Sequence, residues 1–172
     1  MDDKRRSIEK IIGERQELRL GVELAEESVQ FVIVTLAGQW YGFWGNAVAS
    51  IAKVQTVTPI PGTPDFMLGV MYYQGRVESV MDIKRLLGLP DTAITSKSRV
   101  VMATAGEVQS GILVDSVEDV VELPTRKIHG PLHTMEGANK EYVAGGVELQ
   151  GRHVVLLDLA RIFGRVLEQE DG

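Results

Sequence analysis

From Phe31 onward the chain alternates short apolar, β-branched and aromatic runs with turn signals: FVIVTLA, WYGFW, SIAKVQTV, GVMYY, RVESVMD, RVVMATA, VQSGILV, DVVEL, YVAGGVEL and HVVLLD. Runs of this length, bounded by A-G-Q, Q-G-R and A-G-E, predict about ten strands joined by tight turns that need a positive φ. Two stretches break the pattern. Asp82 to Leu87 and Asp158 to Glu168 each place an Ile/Leu face behind a capping aspartate, directly after a strand, and predict helices. Residues 1–29 differ from the rest in being rich in charge and free of aromatics and proline. There Ile8, Ile11, Ile12 and Leu18, with Arg15 on the same stripe, outline a short helix with Ser7 as N-cap, weakened by Gly13 and Gly21. A solvated tail and a helix docked on the body or on a partner fit this segment equally, because isolated helices of this length are marginal in water.

The order of elements repeats. GVMYYQGRVESVMDIKRLLG from Gly69 lies over GGVELQGRHVVLLDLARIFG from Gly145 without a gap, at a constant offset of 76 residues. Identities include Gln74/Gln150, Gly75/Gly151, Arg76/Arg152, Asp82/Asp158 and Arg85/Arg161. Each copy reads strand, Q-G-R turn, strand, aspartate, helix, glycine. The front segments match with one inserted residue, LAGQWYGFWGNAV over TAGEVQSGILVDSV, pairing Gly38 with Gly106, Gly42 with Gly111 and then Ile51 with Val120. The repeat halves are residues 31–88 and 98–164, each a unit of about five strands and a terminal helix. Two such units predict a tandem pseudosymmetric barrel, too few for a solenoid or propeller, with the two Q-G-R hairpins superposable.

Composition narrows the function. The 172 residues suit one ordinary domain or two small joined ones. With 18 Lys and Arg against 24 Asp and Glu, the net charge of -6 leaves no basic footprint for nucleic acid. The absence of cysteine removes disulfides and thiolate chemistry and fits an intracellular protein. Apolar runs such as VVLLDLARIF meet a charge well short of the roughly 20 residues of a spanning helix, so no direct membrane insertion is expected. Arg5 and Arg6 precede no apolar stretch of a secretion signal.

Chemistry is sparse. His129 and His133 in H-G-P-L-H are four apart, a ligand spacing only on a helix, which Gly130 and Pro131 oppose. A polar loop is the favoured reading there, and His153 reads as a surface or edge position. Asp82 and Asp158 suggest a carboxylate pair, but their equivalent places at helix starts explain them as caps. Ser79, Ser98 and Ser110 lie in no nucleophile elbow, and Q-G-R lacks the residues of a phosphate loop. No nucleophile, base and orienting group assemble, so no catalysis, metal or cofactor is expected.

The stretches FVIVTLAGQWYGFWGNAVASI, VTPIPGTPDFMLGV, YYQGRVESVMDIKRLLGL, GILVDSVEDVVELP and EYVAGGVELQGRHVVLLDLARIFG resemble the CheW-like domain from end to end, over residues 30–166. Residues 1–29 are then an extension and 167–172 a tail. The resemblance implies two interlocked five-stranded SH3-like barrels, mainly β, with short helices. It implies a cytoplasmic, non-catalytic adaptor between the cytoplasmic tips of methyl-accepting receptors and a CheA-type histidine kinase, associated with membrane-bound receptor arrays. Carried over by motif, partner contacts fall at Val48 and Ser50 at the start of the third strand, Gly69 before the fourth and Gln74 in the turn. In the second copy they fall at Arg99, Gly111 and Val120. The chain departs from the family pattern at four places: Gln74 stands for an arginine, Ser50 for an acidic residue, and Glu78 and Ser79 follow the turn in place of V-P. Those departures fit a specialised coupling protein of a divergent receptor or motility-type pathway.

Three readings of different kinds remain: the adaptor, a stand-alone regulatory or self-associating module of the same fold, and a barrel binding a small molecule or nucleic acid. The acidic charge opposes the last, and half of each aromatic run is expected to point into the core. Elemental analysis of dialysed protein is expected to find no stoichiometric zinc. One equivalent lost on replacing His129 and His133 would reverse the reading of that loop.

Overall fold

In a computed structural model, residues 7–12, 27–131 and 138–170 are described. Helix α1 covers 7–12 and leaves Ile8, Ile11 and Ile12 exposed. The rest of its stripe, Arg15 and Leu18, and the glycines Gly13 and Gly21, lie outside the described residues, as does His133. Eleven strands follow: β1 (Ser28–Leu36), β2 (Gln39–Trp44), β3 (Val48–Lys53), β4 (Val57–Thr58), β5 (Met67–Tyr73), β6 (Arg76–Met81), β7 (Arg99–Ala105), β8 (Val108–Val114), β9 (Ser116–Pro124), β10 (Val143–Leu149) and β11 (Arg152–Leu157). Helix α2 (Lys84–Leu87) follows β6, and α3 (Leu159–Glu170) follows β11. The run SIAKVQTV, predicted as one strand, is divided between β3 and β4.

The strands form a five-stranded sheet ordered β10-β11-β2-β1-β9 and a six-stranded sheet ordered β3-β7-β8-β6-β5-β4. The copies exchange hairpins. In the first sheet the tail hairpin of the second copy, β10–β11, joins the head hairpin of the first through the parallel pairs Val154–Trp40, Val155–Tyr41 and Leu156–Gly42. In the second sheet β6 of the first copy joins β8 of the second through Val80–Gly111 and Met81–Ile112. The registers repeat with the sequence offset: Tyr73 pairs Arg76 as Leu149 pairs Arg152, with matching irregularities between Met67 and Gly69 and between Val143 and Gly145. The two Q-G-R turns share one geometry, with φ of 49° and 78° at Gln74 and Gly75 and 53° and 73° at Gln150 and Gly151. Even β4 has a counterpart, the single bridge of His129 to Gly146.

The expectation of two five-stranded barrels is corrected: the sheets hold five and six strands, and neither closes. The six-stranded sheet still rolls. Tyr73 on β5 donates its hydroxyl hydrogen to Ser50 Oγ on β3 at 3.0 Å. In a flat sheet those strands, four places apart, would lie about 19 Å from each other. The edge strands β3 and β4 are joined by only residues 54–56, a bend without a reversal. A segment that runs onward in this way has no antiparallel ladder with the strand it has just left, so a side-chain bond bridges the roll where a barrel would have backbone pairs.

Rolling explains why strands such as FVIVTL and RVVMA are apolar at consecutive positions. Val32, Val34, Val101 and Ala103 face a central core between the sheets, while Phe31 and Ile33, or Val100 and Met102, face a smaller cluster belonging to one sheet alone. Both faces are buried, so the period-two alternation is lost. Ile83 at the N-cap of α2, Leu87 within it, and Leu159, Ile162, Phe163 and Val166 from α3 complete the central core. Asp158 caps α3 as expected, its Oδ1 accepting from Arg161 N at 3.2 Å. Asp82 differs: it stands one residue ahead of the α2 N-cap, Ile83, and its Oδ1 accepts from Lys84 N at 3.1 Å.

Lys84 itself is fully buried. Its Nζ lies 3.0 Å from Asp82 Oδ1 and 3.7 Å from Asp115 Oδ1. The first approach is an ion contact without hydrogen-bond alignment, so charge rather than a directed bond holds the group. Asp115 in turn accepts from Ala37 N at 2.8 Å and from the Thr92 hydroxyl at 2.5 Å. One network therefore ties the tail of the first copy, the β8–β9 junction of the second and the β1–β2 turn. Removing one partner from a buried pair leaves the other uncompensated, so Lys84→Met is expected to destabilise the fold by about 3–5 kcal/mol. Adding Asp82→Asn should recover part of that loss in urea unfolding, and no recovery would contradict the charge assignment.

Candidate protein-interaction site

Six of the seven positions implied by the resemblance lie on the six-stranded sheet: Val48 and Ser50 on β3, Gly69 on β5, Gln74 in the β5–β6 turn, Arg99 on β7 and Gly111 on β8. Val120 is apart from them, on β9 at the edge of the other sheet. Val48 opens β3 after a 3-10 turn at Gly45–Ala47 and is half-buried against the central core. Ser50 is half-buried and engaged by Tyr73. Gln74 is exposed at the tip of its turn. Arg99 is half-buried, with Nη1 donating to Ser96 O at 2.9 Å and Ser98 O at 2.8 Å, beside an open cleft shared with Lys97 and Glu118.

Gly69 and Gly111 are buried, and space explains both. At Gly69 φ is 142°, and a Cβ would fall 2.1 Å from Thr58 O, where β4 crosses. At Gly111 a Cβ would fall 2.5 Å from Val100 Cγ1 and 3.2 Å from Ser79 O, at the parallel junction with β6. These glycines shape the strands that carry a surface and do not themselves present one. Of the departures from the family pattern, Glu78 accepts from Gln109 Nε2 at 3.2 Å, and the Ser79 and Ser110 hydroxyls meet at 2.9 Å. Both are half-buried.

The residue that the transferred positions omit is Ile51. It is the repeat partner of Val120 in sequence, and the structure exposes both, at 39% and 48%. Ile51 lies on edge strand β3 and Val120 on edge strand β9, and each is paired on one side only. The internal alignment contained this signal, since an apolar residue at matched places in both copies is either core or matched surface.

No catalytic arrangement emerges. Among the described residues no group of three or more His, Cys, Asp or Glu is placed to hold a metal ion. His129 and His153 stack with ring centroids 5.6 Å apart, and His129 Nδ1 lies 3.1 Å from Gly130 O. Burial pushes the Tyr41 phenol above its ordinary pKa, so it stays protonated and donates to Gln39 Oε1 at 3.0 Å. Among the described residues no helix is long and apolar enough to cross a membrane.

Two sheets that share their hairpins and display apolar residues on their edge strands offer surfaces for protein contact. The CheW-like domain profile matches residues 30–167, and the chain belongs to that family. Among its relatives are the chemotaxis protein CheW of Klebsiella aerogenes, 29% identical over 143 residues (82% of this chain, 86% of the relative). The chemotaxis protein CheW of Treponema pallidum is 23% identical over 149 residues, 84% of this chain and 88% of the relative. The crystal structure of the scaffolding protein TtCheW from Thermoanaerobacter tengcongensis superposes with a TM-score of 0.72 at 23% identity, covering 81% of this chain and 93% of that one. That last likeness is one of fold. As a member of this family the chain is not an enzyme.

Burial separates two of the site positions by experiment. Val48→Glu places a charge against the central core and is expected to cost about 1–3 kcal/mol, lowering Tm by roughly 2–4 °C for each kcal/mol in a chain of this size. Val120→Glu, on an exposed position, is expected to stay within about 0.5 kcal/mol of the parent. Equal losses in thermal unfolding would contradict the exposure of Val120.

Proposed function

We propose that this chain is a non-catalytic adaptor that couples chemoreceptor-type sensors to a CheA-type histidine kinase. The single observation that carries the reading is the family match across residues 30–167, and the exposed pair Ile51 and Val120 supplies matched apolar contacts on opposite sheets. In this reading Val48, Ser50, Gln74, Arg99 and Val120 border the partner surfaces, while Gly69 and Gly111 set the path of the strands beneath. The partners are the kinase and the cytoplasmic tips of methyl-accepting receptors or a divergent equivalent. The protein works in the cytoplasm at membrane-bound receptor arrays. A stand-alone or self-associating role in a motility-type pathway is the other outcome that binding measurements distinguish.

Burying an unpaired charge in an apolar contact costs several kcal/mol, so Ile51→Glu and Val120→Glu are each expected to weaken binding of one purified partner by about a hundredfold or more. Surface-immobilised wild-type chain, titrated with the cognate kinase and with a receptor tip fragment, provides the reference. Wild-type protein that binds neither partner would reject the adaptor reading, and both variants binding as wild type with unchanged melts would reject Ile51 and Val120 as its contacts.

A further inference from the structure

The two copies differ most where each tail helix begins. In the first copy the Lys84 ammonium lies between Asp82 and Asp115. By the same offsets that match every strand register, the second copy has Asp158 for Asp82, Ala160 for Lys84, Asn46 for Asp115 and Ala47 for Ser116. By the hairpin registers, in which Leu36 pairs Gln39 and Ala105 pairs Val108, Leu36 corresponds to Ala105 and not to the Thr104 of the sequence alignment, and by the offset of 76 Leu68 corresponds to Ala144. The three alanines of the second copy line one place. A cavity of about 330 Å³ opens there, walled by Trp44, Ala105, Ala144, Leu157 and Ala160, with Asp158 on its lining.

The surrounding charges differ in a matching way. Arg85 of the first copy turns to Asp91, at 3.4 Å, and leaves Asp82 to Lys84. Its counterpart Arg161 instead lies 3.4 Å from Asp158 Oδ2, with its own side chain mostly exposed. The second site thus keeps a carboxylate, in contact with Arg161, on the lining of an apolar recess but has no internal lysine. An alkyl stem ending in an ammonium group matches such a recess, because its methylenes are covered while the charged head reaches an acidic partner.

We infer that this cavity is a binding site for an alkylammonium group, and that its occupant is a lysine side chain of a protein partner. Lys84 is the built-in example of the occupant: the same fold, at the equivalent place, encloses a lysine with an aspartate at its head. That the lysine comes from a protein rests on the adaptor reading, whereas the chemistry of the cavity does not.

Amide NMR of the full chain tests the cavity with n-butylammonium and n-butanol as probes. Saturable shifts confined to Ala105, Ala144, Leu159 and Ala160 are expected, with the amine bound roughly tenfold more tightly than the alcohol, a difference of about 1.4 kcal/mol. Asp158→Asn keeps a helix cap and should bring the amine down to the level of the alcohol. Ala160→Lys should fill the cavity from within, abolish amine binding and leave Tm at or above that of the parent. Equal affinity for amine and alcohol, absence of saturable shifts, amine binding that survives Ala160→Lys, or a sharp fall in the Tm of that variant would each overturn the inference. Against purified cognate kinase and receptor fragment, Ala160→Lys is expected to weaken one partner about tenfold or more. Unchanged affinity for both would overturn the protein lysine as occupant. If wild-type chain binds neither partner while the amine still binds, the adaptor reading and the protein occupant fail and the amine site stands.

Discussion

The molecule depends on two short parallel junctions. Two residue pairs join β6 to β8 and three join β11 to β2, and through these the hairpins of one copy become parts of the other copy's sheet. Parallel pairing over so few residues supplies little by itself, so close packing across each junction must hold it. Gly111 stands at one junction and Gly42 at its equivalent, and a Cβ on Gly42 would come 2.7 Å from Leu156 Cδ2. At both places the space a side chain would need is already taken by neighbouring side chains. Everything else follows from this contact: the central core lies between the sheets, drawing on both copies, and the helices that close it, α2 at mid-chain and α3 near the C-terminus, each end one copy.

The exchange also makes the two copies unequal in what they must satisfy. The first copy carries a buried ion network that spans three chain segments, and the second carries small side chains and an open recess. A buried ion pair is seldom the most stable way to fill a space, but it penalises any packing in which its partners are separated. In a duplicated chain whose hairpins are alike, a mismatched exchange is the obvious competing fold. Lys84 meets Asp115 only when the tail of the first copy lies against the head of the second.

Much of the fold was legible in the sequence, and for local reasons. The Q-G-R turns fix their own hairpins, and the ungapped offset predicts equal registers, which the structure has down to the placement of the irregularities. What was not legible is non-local. No periodicity marks Val80 and Met81 for a parallel partner in the other copy, because a two-pair junction has no pattern of its own. The break between β3 and β4 is invisible in SIAKVQTV, where the apolar spacing continues through the bend, and the barrel expected from the repeat and the family resemblance carried no sign of that opening. At the site, type alone did not separate Val48 from Val120: both are valines in strands, and only the structure shows one against the core and the other in solvent. Lys84 reads as a surface residue until its two aspartates are placed around it.

Reciprocal hairpin exchange also bears on how the chain is made. The β1–β2 hairpin leaves the ribosome roughly a hundred residues before β11, the strand that covers its open edge along Trp40, Tyr41 and Gly42. At translation rates of about 5–20 residues per second, that edge stays unpaired for on the order of 5–20 s. Neither sheet can be completed in the order of synthesis, since each needs a strand from the later copy. A nascent chain of this design therefore presents apolar strand edges to its neighbours before it can satisfy them internally, and crowded synthesis on one messenger favours exchange between chains as well as within them.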